Sequence, residues 1–139
     1  LTAAPGAVVD DSADAWGSAS TAFPPAVRAA YAAVLADAEH AHAICEEYRA
    51  AATLDRAHDA EDRRAGHRIS APVLALWARG GAVDTWYADA GGPLALWRGW
   101  ADHVSGAAVD GGHFFPEERP TETAAALRDF HTATMGTKH

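Results

Sequence analysis

The run Pro72-Val73-Leu74-Ala75-Leu76-Trp77 constrains this chain most. It is a short, unbroken apolar stretch bounded by turn residues, the pattern of a strand buried on both faces of a parallel sheet. Gly80 and Gly81 break it. Pro93 to Ala101 then reads as an amphipathic helix carrying Leu94, Trp97 and Trp100, and Ser105 to Val109 as a second short strand. Thr121 to Phe130 closes the chain as a helix with Ala124, Leu127 and Phe130 in register. The order strand, helix, strand, loop, helix is half of a doubly wound α/β sheet. Two strands cannot shield both faces and both edges, so the sheet is incomplete and calls for more strands. No internal repeat supplies them by stacking.

The stretch before residue 71 has a different character. Leu1 to Ala22 is rich in Ala, Gly, Ser and Asp without a sustained period and reads as irregular, with Trp16 its one large apolar anchor. Phe23-Pro24-Pro25 opens a helix in which Val27, Tyr31, Val34 and Leu35 share a face. Asp37 can cap a second helix from about Ala38 to Leu54, striped by Ala41, Cys45, Tyr48 and Ala52. The mixed charges from Arg56 to Arg68 describe a solvated helix and loop. Three segments follow: an irregular 1–22, a helical 23–70 and an α/β 71–139.

Charge and cysteine usage narrow the function classes. A net charge of -8, with the basic residues scattered among acids, argues against a nucleic-acid or anionic-membrane surface. No apolar run approaches a membrane span and no signal peptide is evident at the start, so a cytoplasmic location is the default expectation. Cys45 is the only cysteine, which excludes an intrachain disulfide and a thiolate metal cage and suggests a small buried side chain. His40 and His42 diverge on their helix, no His-Glu-x-x-His occurs, and His58-Asp59 sits in a charged segment, so no metal site is expected. Lys138 is the only lysine.

Chemistry concentrates in the loop Gly111-Gly112-His113-Phe114-Phe115-Pro116-Glu117-Glu118. In open α/β sheets reactive groups sit beyond the carboxyl ends of the strands, and His113 follows such an end. Two glycines before it allow a tight backbone path, aromatic residues after it limit ring motion, and imidazole titrates where a general base works best. The alternative is a histidine that only caps a turn. Glu117 and Glu118 look like a paired-carboxylate site, although adjacent acids before Pro120 are more simply read as capping the final helix.

These residues together resemble the haloacetate (fluoroacetate) dehalogenases, α/β-hydrolases. Cys45-Glu46-Glu47-Tyr48-Arg49-Ala50-Ala51-Ala52-Thr53, His58-Asp59, Pro72 to Trp77, Leu96-Trp97-Arg98 and Gly112-His113-Phe114-Phe115-Pro116-Glu117-Glu118 fall in that family's order and approximate spacing, from about Trp16 to Phe130. The resemblance implies the C-terminal portion of an α/β-hydrolase fold with a helical cap. It implies His113 as the base that activates water to hydrolyse an aspartyl ester, and Tyr48 as a cap donor to the departing halide. Trp16 resembles a cap tryptophan that shapes the pocket, with core packing the alternative.

The family's nucleophile elbow, oxyanion loop and halide-binding His-Trp pair do not occur in this chain. Gly81 stands where many α/β-hydrolases carry the triad acid; Asp84, three residues on, could substitute or be a solvated loop acid. The dehalogenases resembled take their acid from an earlier strand. Ala78 replaces a usual glycine and Glu47 a usual aspartate. The expected ligand is a small haloacid bound when the missing half is present, with no cofactor, and a homo-oligomer is allowed. The chain alone should not turn over. The alternatives are an epoxide hydrolase-like part and a non-catalytic module that binds a partner.

Overall fold

A computed structural model describes residues 1–18 and 22–136, which leaves the single lysine, Lys138, outside the described residues. Its elements are α1 (Pro5–Ala15), α2 (Pro25–Ala36), α3 (Ala38–Ala52), α4 (Leu54–Ala65), β1 (Val73–Ala78), α5 (Ala82–Trp86), a 3-10 turn at Ala88–Ala90, α6 (Gly92–Arg98), β2 (Val104–Val109), α7 (Phe115–Glu118) and α8 (Pro120–Met135). No described helix is long and apolar enough to cross a membrane.

The strands pair in parallel, from Val73 opposite Val104 to Ala78 opposite Val109, as the strand-helix-strand order predicts. Their close approach requires a glycine: a Cβ on Gly106 would lie 1.9 Å from the Ala75 carbonyl oxygen across the sheet. Pairing begins before the strands proper, because the Ile69 amide donates to Trp100 O at 2.8 Å and the Asp102 amide to Ile69 O at 3.0 Å. Arg68 secures this entry. Its guanidinium donates to Asp102 at 2.6 Å and to the carbonyls of Arg98, Gly99 and Ala101, so a residue from the charged segment staples the end of α6 and the link that leads into β2.

The expectation that β1 is buried on both faces is corrected: Ala75 alone is buried and the rest of the strand is half-buried. The apolar run has the composition for full burial, but α5 and α6 are the helices packed closely on β1. The side chains are ready for neighbours that these elements do not supply.

The N-terminal segment is also corrected. Residues 5–15 form a helix rather than irregular chain, opened by Pro5 in its first turn. Its buried stripe is only Val9 and Ala13, four apart, too small a signal to stand out in an Ala-, Ser- and Asp-rich sequence. These two pack on Phe23, with Val27, Leu35 and Phe114 around them. Arg28 of α2 reaches back to Asp10 at 2.6 Å and to Gly6 O at 3.1 Å, which fixes α1 on α2.

The later helices follow their local signals. Pro25 sits in the first turn of α2. Asp37 caps α3 by accepting from the amides of Glu39 at 2.8 Å and His40 at 3.1 Å, and these bonds hold its carboxyl below the usual range. The second helix ends at Ala52 rather than Leu54; Thr53 turns its hydroxyl back to Arg49 O at 2.7 Å and α4 starts afresh. On the expected stripe of α3, Ala41 is buried and Cys45 half-buried, whereas Tyr48 and Ala52 are exposed because α3 packs chiefly on α2 and α4.

Candidate functional site

His113 stands four residues beyond Val109, the last residue of β2, at the carboxyl end shared by both parallel strands. The backbone there is held by three consecutive amides. Gly112 N–H donates to Glu118 Oε2 at 2.9 Å, His113 N–H to Trp16 O at 3.1 Å, and Phe114 N–H to Ser18 Oγ at 3.2 Å. The Ser18 hydroxyl in turn donates to Glu118 Oε1. Ser18 is 2% exposed, so this linkage is enclosed.

Close approach explains the glycine before the histidine. A Cβ on Gly112 would lie 2.3 Å from Ser18 Oγ and 2.5 Å from Gly17 O, where no side chain fits.

The His113 ring itself is exposed and framed by aromatics. Trp16 lies 5.1 Å away between ring centroids at 32°, and Phe114 5.1 Å away at 87°. Trp86 meets Trp16 edge-on at 6.4 Å, and Phe114 meets buried Phe23 at 5.4 Å. Beside the imidazole is an open cavity of about 220 Å³ lined by Trp16, Trp77, Val83, Trp97, His113 and Phe115. Its wall is mainly apolar, which suits a small organic substrate whose polar end is met by few groups.

The structure therefore brings Trp16 to His113 and does not bring Tyr48. Trp16, 46% exposed at the end of α1, is a pocket wall rather than a core residue. Tyr48 is 75% exposed and lines a separate shallow groove with Ile44, Glu47 and Ala51. Neither the core position nor a place in the His113 cavity is observed for it.

Asp84 does not meet the histidine. Its Oδ1 accepts the Trp77 indole N–H at 2.9 Å and its Oδ2 the Gly80 amide at 2.8 Å, so it closes the turn from β1 into α5. The Gly80 and Trp77 hydrogen bonds, with the nearby Arg79 charge, hold its carboxyl below the usual range. Among the described residues no carboxylate hydrogen-bonds the His113 ring.

The paired glutamates are corrected as well. They do not cap α8, whose N-cap is Arg119 without a side-chain bond and whose first-turn acid is Glu122. Glu117 instead accepts the hydroxyl of Tyr31 on α2, and this bond raises the Tyr31 phenol above its usual value. Glu118 accepts from Ser18 and Gly112. Each glutamate thus ties the histidine loop to the N-terminal helical part.

Sequence reasoning missed Ser18 and Arg68. Ser18 sits in a run of small residues with no local mark, and the partners of both lie far along the chain. His40 and His42 pair with Asp37 and Glu46 at 3.5 and 3.8 Å, and no group of three or more metal-ligating side chains occurs among the described residues.

No family model matches the chain. It is 28% identical over 116 residues to a fluoroacetate dehalogenase of a Burkholderia species, covering 83% of this chain and 36% of that protein. Among solved structures, a Nostoc sp. PCC 7120 protein described as an alpha/beta hydrolase superposes with a TM-score of 0.84 at 40% identity, over 94% of this chain and 43% of that one. A Pseudomonas aeruginosa protein described as an epoxide hydrolase superposes with a TM-score of 0.80 at 30% identity, over 97% and 44%. The chain thus spans less than half the length of each. It is distantly homologous to a fluoroacetate dehalogenase and to α/β-hydrolases, and its fold is the corresponding portion of the α/β-hydrolase fold.

Proposed function

We propose that this chain supplies the histidine and part of the cap of a hydrolytic dehalogenase for short haloacids, with His113 as general base. The observation that carries the reading is His113 itself, held by its own and both neighbouring amides at the carboxyl end of β2 beside an aromatic cavity. Likeness to the Burkholderia fluoroacetate dehalogenase supports the substrate class.

In the whole protein, a carboxylate oxygen from sequence outside this chain attacks the α-carbon of the haloacid. The carbon–halogen bond breaks with its electron pair leaving as halide, and an ester forms. His113 then takes a proton from water as the hydroxide adds to the ester carbonyl, which releases the 2-hydroxy acid and restores the carboxylate. Trp16 walls the cavity on the histidine's side. Tyr48 is assigned to the halide on family resemblance alone. Residues 23–70 act as the cap portion and 71–139 as the core portion in this reading.

The test joins the coding sequence immediately upstream to this chain and assays fluoro- and chloroacetate for halide and hydroxy acid. His113→Ala in that protein should accumulate the ester, seen as an added mass on the nucleophile. Halide release by the 139-residue chain alone would overturn the proposal.

The Pseudomonas aeruginosa likeness favours an epoxide hydrolase-like protein as the second reading. Turnover of epoxides without halide release from haloacids distinguishes it. The exposed Trp86 and Leu54 keep a non-catalytic partner-binding module as a third reading, supported if the completed protein turns over neither substrate.

A further inference from the structure

We infer that Glu118 and Ser18 form a positioning pair for His113, an inference that rests on His113 acting as the base. The Glu118 carboxylate grips both flanks of the histidine. One oxygen accepts the amide of residue 112, the residue before it, at 2.9 Å. The other accepts the Ser18 hydroxyl, whose oxygen accepts the amide of residue 114, the residue after it, at 3.2 Å. The His113 amide is taken by Trp16 O, two residues before Ser18, at 3.1 Å.

The four groups close a ring of hydrogen bonds around one peptide segment. Every donor and acceptor in it is used in one direction: a serine has a single hydroxyl proton, and here the carboxylate takes it while the serine oxygen remains free for Phe114 N–H. An ionised carboxylate suits this place because it only accepts. Charge-assisted acceptance from a backbone amide and an enclosed hydroxyl is stronger than a neutral bond.

The consequence is directional. With residues 112 and 114 pinned, the Cα–Cβ bond of His113 is aimed from the sheet end toward the cavity that Trp16, Trp77 and Trp97 line. The side chain then needs only rotamer freedom to address a water there. A displaced base loses rate steeply, since a shift of about 1 Å can cost on the order of a hundredfold.

Glu118→Gln breaks the ring in a defined way. With its oxygen on the Ser18 hydroxyl the amide sets its NH2 against Gly112 N–H; with its oxygen on Gly112 N–H the NH2 meets Ser18 Oγ, whose hydroxyl proton must then turn away and lose the charged acceptor it had in Glu118. Ser18→Ala removes the link to Phe114. Glu117→Gln is the control, because it takes only the charge from the acceptor of the Tyr31 hydroxyl and leaves the ring around His113 intact.

The experiment has two readouts. In the completed protein, Glu118→Gln and Ser18→Ala should lower kcat for haloacetate about tenfold with KM little changed, while ester accumulates because its hydrolysis is slowed. In this 139-residue chain, both variants should speed amide exchange at Gly112, His113 and Phe114 and weaken the Trp16–His113 ring contacts seen by NMR; Glu117→Gln should not. If the completed protein has no haloacetate activity, the proposed function fails, and the exchange data still decide the hydrogen-bond ring. If Glu118→Gln and Ser18→Ala lower thermal stability no more than Glu117→Gln and leave exchange at residues 112–114 and the ester's lifetime unchanged, the positioning role is overturned.

Discussion

The indole of Trp16 lies 5.1 Å from the His113 imidazole at 32°, and the Trp16 carbonyl accepts the His113 amide at 3.1 Å. One residue thus holds the histidine by both backbone and ring, from a distant part of the chain. Only the ring contact depends on the Trp16 side chain. Trp16→Ala, which also loses the edge contact with Trp86, should therefore cost about 1–3 kcal/mol, the size of two aromatic pairs, and Trp16→Phe less. Urea unfolding checks the stability, and NMR contacts at His113 should show the ring released in the alanine variant while its amide stays protected.

Gly112→Ala should be among the most damaging single methyl additions. The new Cβ meets Ser18 Oγ and Gly17 O at 2.3 and 2.5 Å, inside any tolerated contact, so the loop has to move. Overpacking of this kind costs about 1–3 kcal/mol. A lower Tm together with faster exchange at residues 113 and 114 is the expected result; an unchanged Tm would mean that the segment carrying Ser18 yields.

Asp84 gives a pH signature. Its folded carboxyl is held below the ordinary value of 3.8 by Gly80 N–H, the Trp77 indole and Arg79. A depressed carboxylate contributes stability that is present above its unfolded pKa and is lost as pH falls through its folded pKa. The Tm gap between this protein and Asp84→Asn should be full near neutral pH and shrink below pH about 4. Asp10, depressed by the hydrogen bond and charge of Arg28, adds loss in the same window and in the same direction. Because Asp84 does not touch His113, Asp84→Asn should leave the ester lifetime of the completed protein unchanged.

Arg68→Lys tests a fork that an ammonium cannot copy. The guanidinium serves Asp102 and the carbonyls of Arg98, Gly99 and Ala101. Lysine keeps the charge but not the planar fan of donors, so a loss of about 1–2 kcal/mol is expected by denaturant titration. Exchange should quicken first at Ile69 and Asp102, whose amides this staple protects.

Tyr48→Phe separates the two views of that residue. With the residue 75% exposed, removal of its hydroxyl should change stability by less than about 0.5 kcal/mol. In the completed protein the same variant should lower kcat/KM for haloacetate about tenfold or more, through loss of a halide donor. Unchanged kinetics would remove Tyr48 from the site.

Local pattern determined a good deal by itself. The apolar run ending at Trp77 identified β1, the strand-helix-strand order identified a parallel pair, and Pro25 and Asp37 marked helix starts, because each signal lies within a few residues of the structure it sets. Gly112 and His113 were legible as a tight path to a reactive ring at a strand end. Tertiary structure decided the rest. Helix α1 has a buried stripe of only Val9 and Ala13, and what stabilises it is Phe23, just before the next helix, and Arg28 on that helix. Glu118 looked like a helix cap, yet its partners are Gly112 and Ser18, the latter a hundred residues away. Asp84 read mainly as a solvated loop acid that could in principle serve the histidine, and the fold gave both its oxygens to the β1 turn. Hydrogen bonds between distant segments leave no period or spacing in the chain, because they depend on which surfaces the hydrophobic contacts bring together.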